Sequence, residues 1–385
     1  MRILLAAASL SALVTCSDGS TPLPNDGQDD FVLPDQAAMA PTYDGRLRAP
    51  SDVQVTKFAS VGDARGIAIG PDGSVYVSRP NQNQIVRLTD ANNDGVGEQQ
   101  ALTLSGLDRP HGMAFANGAM YVANTGAVIR YTLNASQIPS GTPQTIGTYS
   151  SGGGHWTRSV VIGADGGVYV SIGSSCNICE EREEDRAAVV RFNAAGGGGR
   201  VFARGLRNAV GIALHPTTGK IWVSQNERDN IRPNYENLPP EEINILDDGA
   251  HYGWPYCHSN RVPNPEYGDA SRCATTTPPA LAIQAHSAPL GMSFLNNATK
   301  LPAMYRGDLL VALHGSWNRD VPTGAKVVRV KVENGLPTAY GDFIVGWQRD
   351  DGARWGRPVD VAVASDGAVL ITDDMGDAVW RVTAR

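Results

Sequence analysis

The sequence predicts an all-β chain folded as a six-bladed β-propeller, on three observations. One strand–turn–strand pattern returns six times, Gly and Pro are abundant, and no long amphipathic helix interrupts the returns. The first copy reads Arg65-Gly-Ile-Ala-Ile-Gly-Pro-Asp-Gly-Ser-Val-Tyr-Val, the second Pro110-His-Gly-Met-Ala-Phe-Ala-Asn-Gly-Ala-Met-Tyr-Val. The third is Arg158-Ser-Val-Val-Ile-Gly-Ala-Asp-Gly-Gly-Val-Tyr-Val, and the fourth Ala209-Val-Gly-Ile-Ala-Leu-His-Pro-Thr-Thr-Gly-Lys-Ile-Trp-Val. A looser fifth copy begins Pro289-Leu-Gly-Met-Ser-Phe-Leu, with its second strand displaced to Asp308-Leu-Leu-Val-Ala-Leu. The sixth is Pro358-Val-Asp-Val-Ala-Val-Ala-Ser-Asp-Gly-Ala-Val-Leu-Ile-Thr. The Asp-Gly and Asn-Gly pairs are hairpin turns, because such turns need a positive φ that Gly and Asn tolerate. A third short strand ending near an Arg follows in five copies, as in Ile85-Val-Arg-Leu and Val379-Trp-Arg-Val. A period of about 45–50 residues with four strands each is blade-sized. A pair of β-sandwiches is the competing architecture, but it does not predict such regular returns.

Composition bounds the partners. With 39 Asp and Glu against 32 Lys and Arg, the formal charge is −7, which argues against a nucleic-acid partner. Hydrophobic residues make up 42%, enough for a buried core, so 43 Gly and 24 Pro indicate turns rather than disorder. Only five of the basic residues are Lys, so a site needing positive charge would use Arg, which grips carboxylates bidentately.

The N-terminus sets the expected address. Met1-Arg2 precedes an apolar run from Ile3 to Val14, too short to span a bilayer but the length of a signal peptide's apolar region. Leu13-Val14-Thr15-Cys16 resembles a bacterial lipobox, in which Cys16 would be acylated; Thr15 departs from the usual small residue, and an ordinary cleaved signal is the alternative. Residues 1–16 are thus read as a leader, 17–50 as a flexible tether and 51–385 as the propeller, with a loop insertion at about 230–290. The expected location is the periplasm or cell envelope, with membrane contact only through a lipid anchor.

Four further cysteines, Cys176, Cys179, Cys257 and Cys273, are an even number in an exported chain and read as structural disulfides, paired by proximity. A zinc site or a redox-active CxxC is the sharper alternative, and haem attachment is excluded because Glu180 follows Cys179. The run Glu180-Glu-Arg-Glu-Glu-Asp-Arg reads as a solvated loop. Asp90-Ala-Asn-Asn-Asp-Gly fits half a calcium loop, but Ala101 stands where the twelfth-position Glu belongs, and a plain Asx-rich hairpin explains it equally.

Propellers bind ligands at the central channel, so polar residues just before each innermost strand are the candidates. They are Arg65, His111, His155 with Arg158, Arg207 with Asn208, His286, His314 and Arg357. Several Arg imply a planar ligand bearing carboxylates, and a neutral His among them implies a general base. Trp156, Trp254, Trp317 and Trp355 lie near the same loops and either wall a sugar site or pack in the core.

Four segments carry a resemblance: His155-Trp-Thr-Arg-Ser-Val-Val-Ile-Gly-Ala-Asp, Gly205-Leu-Arg-Asn-Ala-Val-Gly-Ile-Ala, Tyr252-Gly-Trp-Pro-Tyr and Leu313-His-Gly-Ser-Trp-Asn-Arg. They resemble the sorbosone and glucose dehydrogenases, soluble six-bladed enzymes that use pyrroloquinoline quinone (PQQ). The resemblance spans about residues 50–385. It implies oxidation of an aldose or aldehyde-type sugar by hydride transfer to the quinone, with electrons passed to a cytochrome or quinone acceptor. It implies His155 as the base and Arg207 as the group polarising a quinone oxygen, with Asn208 beside it. Arg357 would grip a carboxylate and His286 would contact the cofactor. The loop Asn226-Glu227-Arg228-Asp229 corresponds to one that supplies oxygens to a calcium ion. The sequence departs from the glucose type at Val359, where a second Arg is usual, and at His314, where a Lys is usual and Lys326 is the substitute within reach. It also lacks the Gln-Gly-Pro of the calcium loop, and so lies nearer the sorbosone type. Two other functions compete. A lactonase-type calcium hydrolase would need pocket carboxylates, which the channel positions do not offer; a non-catalytic binding propeller needs no chemistry at all.

Overall fold

The computed structural model describes Leu33 and residues 35–385. The leader and Cys16 lie outside the described residues. Six four-stranded antiparallel sheets form the propeller, each with its first strand innermost. Blade one holds Ile67–Ile69, Val75–Arg79, Gln84–Thr89 and Gln99–Leu104; blade two holds Met113–Ala116, Ala119–Ala123, Ala127–Leu133 and Pro139–Thr148. Blade three runs Arg158–Ile162, Val168–Ile172, Ala188–Phe192 and Arg200–Arg204. Blade four runs Ala209–Leu214, Ile221–Gln225, Glu241–Leu246 and Leu281–Ile283. Blade five runs Pro289–Phe294, Leu309–Leu313, Lys326–Glu333 and Leu336–Ile344. Among the described residues the one α-helical stretch is Ala270–Cys273.

Blade six closes the ring with both ends of the chain. Its inner strands are Pro358–Val363, Val369–Asp373 and Ala378–Ala384, and its outermost strand is Val53–Ser60, paired so that Val382 faces Val55. Val53 and Val55 are buried while Gln54 and Thr56 are exposed, the period-two pattern of a strand with one face on a core. Their cluster includes Trp347, Trp380 and Phe343. The expected tether ends sooner than residue 50. Met39–Thr42 pairs with Leu47–Pro50, and Leu47 and Ala49 are fully buried in that same cluster.

The innermost strands carry small residues because neighbouring blades touch there. A Cβ on Gly112 would lie 2.5 Å from Ser159 Cα, and one on Gly291 2.6 Å from Asp360 Cα. Side-chain contact at those points would force the blades apart. In the sixth copy Asp360 replaces the glycine and accepts hydrogen bonds from the backbone N–H of Ile67 and of Val361, so it bridges blade six to blade one.

The insertion also differs from expectation. Two strands of blade four lie inside 230–290, and the irregular chain is 226–240 and 247–280. The second piece carries the hairpin Cys257–His258 with Val262–Pro263 and is cross-linked by the Cys257–Cys273 disulfide. Cys176 and Cys179 are also bonded to each other, the pairing expected by proximity, so they are not zinc thiolates. The acidic run after them is not all solvated: Arg186 is buried and donates to the carbonyls of Ser151, Gly152 and Gly173. Asp90, Asp94 and Glu98 converge in an exposed hairpin loop whose Asp90 carboxylate accepts from the N–H groups of Asp94 and Gly95.

Candidate active site

A cavity of about 200 Å³ lies where blades three, four and five meet, lined by His155, Arg207, Asn208, Asn226, Glu227 and Asp229, with Glu241, His286, Trp317 and Asn318 completing it. Seven sequence candidates therefore converge: His155, Arg207, Asn208, Asn226, Glu227, Asp229 and His286.

His155 has a defined tautomer. Its Nδ1 lies 3.1 Å from Ser174 O and 2.9 Å from Ser174 Oγ. A carbonyl only accepts, and the Ser174 hydroxyl hydrogen is already donated to Cys176 O at 2.7 Å. Nδ1 therefore carries the proton, and Nε2 keeps a lone pair with no protein partner among the described residues. Burial, reinforced by the Arg207 charge, pulls the His155 pKa down to about 3, so the ring is neutral throughout the physiological range.

Arg207 is almost fully buried and uses its whole fork. Nε donates to Asn177 O at 3.0 Å, Nη1 to Asn226 O at 3.1 Å and Glu227 O at 2.7 Å, and Nη2 to Asn177 Oδ1 at 3.0 Å and Asp229 Oδ2 at 3.4 Å. These five contacts occupy five N–H groups, the full capacity of a guanidinium. It thus offers the cavity a fixed charge. Burial pulls its pKa down, against the Asp229 and Glu227 charges.

His286 donates from Nε2 to Tyr235 O at 2.8 Å, which turns Nδ1 toward Asp229 Oδ1 at 3.6 Å. His286 and Ala288 both adopt left-handed backbone, φ 59° and 53°, a strain that functional sites tolerate. Asn208 Oδ1 is buried without a partner, and an orphaned amide beside a cavity is one a ligand can satisfy.

The loop 226–229 does not present a vacant set of oxygens. The carbonyls of Asn226 and Glu227 already accept from Arg207, the Glu227 carboxylate accepts from Gln225 and from the Arg228 N–H, and the Arg228 guanidinium pairs with Glu266 at 2.5 Å. The residues in this arrangement do not fit a calcium ion, because the loop's oxygens are already hydrogen-bonded and the Arg207 charge lies against its two carbonyls.

The remaining candidates sit elsewhere. Arg65, His314 and Arg357 gather around Asp374: Arg65 pairs with it at 2.6 Å, His314 Nε2 lies 3.0 Å from it, and Arg357 Nε donates to His314 O at 2.8 Å. Arg357 Nη2 reaches Gly315 O at 3.3 Å, and Nη1 has no protein acceptor among the described residues. Burial pulls His314 down to about 4, so it is a neutral donor. His111 lines a separate cavity of about 90 Å³ in the central channel with Ser159 and Asp360, and its Nε2 is buried and unpartnered. Arg158 and Lys326 do not line either cavity. Arg158 donates to the carbonyls of His155, Thr157 and Ser150, because the first position of its strand turns it under that loop. Lys326 pairs with Asp342 at 2.7 Å across its own blade.

Sequence reasoning missed Ser174, Asn177, Glu241, Asn318 and Asp374. Glu241 is fully buried and accepts from the N–H groups of Glu227 and Ala288; burial pushes its pKa up to about 8. The one available signal was Glu241-Glu242 opening a strand after two prolines. The argument that the pocket lacks carboxylates therefore fails. What disfavours the hydrolase is instead that Glu227, Glu241 and Asp229 are already hydrogen-bonded by the protein.

The TrAA12-like family model matches residues 48–385. The chain belongs to the TrAA12-like family. It is 25% identical over 386 residues to a pyrroloquinoline quinone-dependent pyranose dehydrogenase of Coprinopsis cinerea, covering 83% of this chain and 52% of that protein. It is 34% identical over 219 residues to an uncharacterized protein of Borreliella burgdorferi, covering 55% of this chain and 56% of that one. The chain thus spans about half the length of the curated relatives it matches. The holo pyranose dehydrogenase PQQ domain of Coprinopsis cinerea superposes with a TM-score of 0.75 at 22% identity, covering 88% and 97% of the two chains. A calcium structure of a Trichoderma reesei family AA12 carbohydrate-active enzyme superposes at 0.77 and 20% identity, covering 94% and 100%. This TrAA12-like chain shares their fold.

Proposed function

We propose that the protein is a PQQ-dependent dehydrogenase that oxidises a sugar, of the aldose or aldehyde type, and passes the electrons to an external cytochrome or quinone. The observation that carries the reading is His155, a neutral imidazole whose lone pair faces a cavity beside a buried arginine. The pyranose dehydrogenase activity of the Coprinopsis cinerea relative supports the same chemistry. Bound PQQ would supply a two-electron acceptor for hydride leaving the sugar carbon. Nε2 of His155 takes the hydroxyl proton of that carbon, and Nδ1 remains bonded to Ser174 throughout. Arg207 contributes positive charge from a preorganised position, favouring negative charge that develops in the cavity. Asn208 Oδ1, buried without a partner, can accept a hydrogen bond from the cofactor, and Arg357 Nη1 can donate one to a carboxylate. Trp317, 76% exposed on the rim, offers a flat apolar face for a sugar ring. Calcium takes no part in this proposal. Export to the periplasm or cell envelope, through the leader and Cys16, belongs to it.

Titrating the purified chain with PQQ, then adding aldoses and an artificial electron acceptor, tests this reading. Saturable PQQ binding with dye-linked turnover that His155→Ala abolishes is expected. No PQQ binding in the wild type overturns it.

A further inference from the structure

Two parts of the candidate site, the base and the arginine, are gripped by one short loop that no part of the reaction touches. Ser174 accepts the Nδ1–H of His155 and donates to Cys176 O. Asn177, one residue on, accepts Arg207 Nε on its carbonyl and Arg207 Nη2 on its side-chain oxygen. It also holds the calcium-loop equivalent: its Oδ1 accepts from Asp229 N at 2.9 Å, and its Nδ2 donates to Asp229 O at 3.2 Å. Trp254, buried beneath, donates Nε1 to Asn177 O at 3.1 Å. The Cys176–Cys179 disulfide closes the loop around Asn177, with only two residues between its ends. A loop this short, without regular structure, would otherwise sample many conformations.

We propose that Asn177, locked in place by the Cys176–Cys179 disulfide, is the positioning residue that holds Arg207 and Asp229 in register with His155. Asn177 matches the arginine fork with two acceptors at a fixed spacing, which a lone backbone carbonyl cannot do. The disulfide is half-buried and lies on the cavity side of blade three, whereas Cys257–Cys273 is buried in the insertion. The two cross-links therefore have different duties: the first sets active-site geometry, the second the shape of the insertion.

The expected effect on catalysis rests on the dehydrogenase reading, and a cofactor-free measurement separates the two. Asn177→Ala removes the shorter of the two Nη2 acceptors and both side-chain bonds to Asp229. In the loaded enzyme, kcat falls roughly 10- to 100-fold, the loss expected for one charge-assisted bond, with KM for sugar changed less than about threefold. In the apo protein, ¹⁵N shifts of the His155 imidazole report whether Arg207 has moved. Besides burial, the charges holding its pKa down are Arg207, Arg158 and Arg186, so release of Arg207 raises it. Cys176→Ser/Cys179→Ser gives the same two changes, and Cys257→Ser/Cys273→Ser gives neither. Asn177→Asp, which keeps the acceptor for Nη2, recovers most of the rate and serves if the alanine variant fails to fold. An unmoved His155 titration in Asn177→Ala, or in the first cysteine pair, overturns the proposal whether or not the protein uses PQQ. A moved titration in a protein that never binds PQQ upholds the positioning and removes only the dehydrogenase reading.

Discussion

Arg207→Lys keeps a positive charge at the site and removes the guanidinium fork, so it isolates what the fork does. Five N–H groups serve five acceptors in the wild type, and an ammonium offers three. Asn177 O retains Trp254, Asn177 Oδ1 retains Asp229 N, and Asp229 retains Asn318 at 2.8 Å. The carbonyls of Asn226 and Glu227 have no donor besides Arg207 among the described residues. A shorter lysine cannot reach both and still touch Asn177, so at least two charge-assisted bonds are lost. At ~1.5–3 kcal/mol each, the expected destabilisation is about 3–6 kcal/mol. Urea unfolding at pH 7 reads it as a lower midpoint with an unchanged slope. A loss below about 1 kcal/mol would show that water replaces the fork and that Arg207 is not the keystone of these loops.

Gly291→Ala places a methyl 2.6 Å from the backbone of Asp360, and Gly112→Ala one 2.5 Å from Ser159 Cα, so each lowers stability by ~1–3 kcal/mol or more in a thermal melt; wild-type melting in either would refute close blade contact. Deleting residues up to Ser60 removes the outer strand of blade six and uncovers Trp380 and Phe343, so the cooperative transition should be lost in calorimetry, and a sharp transition would contradict ring closure by that strand. Acid weakens the fold through its buried histidines. His155 falls to about 3 and His251, His258 and His314 to about 4, so each binds a proton more tightly when unfolded. Their stabilising contribution is present above pH 6.5 and lost as pH falls toward 4. Each could cost up to ~2 kcal/mol between pH 6.5 and 5, and urea midpoints at the two values test it. Glu241 has the opposite sign: its raised pKa, about 8, means stability falls as pH climbs from 4.5 through 8, and a stability maximum shifted to pH 9 would refute that burial.

The blades were legible because each is built from neighbouring strands joined by tight turns. Asp-Gly and Asn-Gly report the turn, and the apolar alternation reports the face. Four residues of the cavity, His155, Arg207, Asn208 and His286, were legible because repeat position puts the residues before an innermost strand at the channel mouth, whereas Asn226, Glu227 and Asp229 came only from the family resemblance. Repeat position also grouped Arg65, His111, Arg158, His314 and Arg357 with them, and these do not line that cavity. It says which end of a blade a residue occupies, and nothing about which neighbour its side chain meets. Arg158 turns beneath its own loop, and Arg65 finds Asp374 more than 300 positions away. Asn177 carried no signal, since an Asn between two cysteines is an ordinary loop residue until Arg207 is seen against it.

By itself the sequence determined the repeat, the six blades, the disulfide partners and the residue types around the channel, all properties of local chain geometry and spacing. Only the tertiary structure decided that Val53–Ser60 completes the last blade, that His155 lines the cavity with its Nδ1 held by Ser174, and that all five N–H groups of Arg207 are taken up by protein oxygens. The physical reason is the same in each case. Hydrogen bonds between groups far apart in sequence depend on where closed blades bring them, and a guanidinium or an imidazole takes its role from the acceptors it meets there.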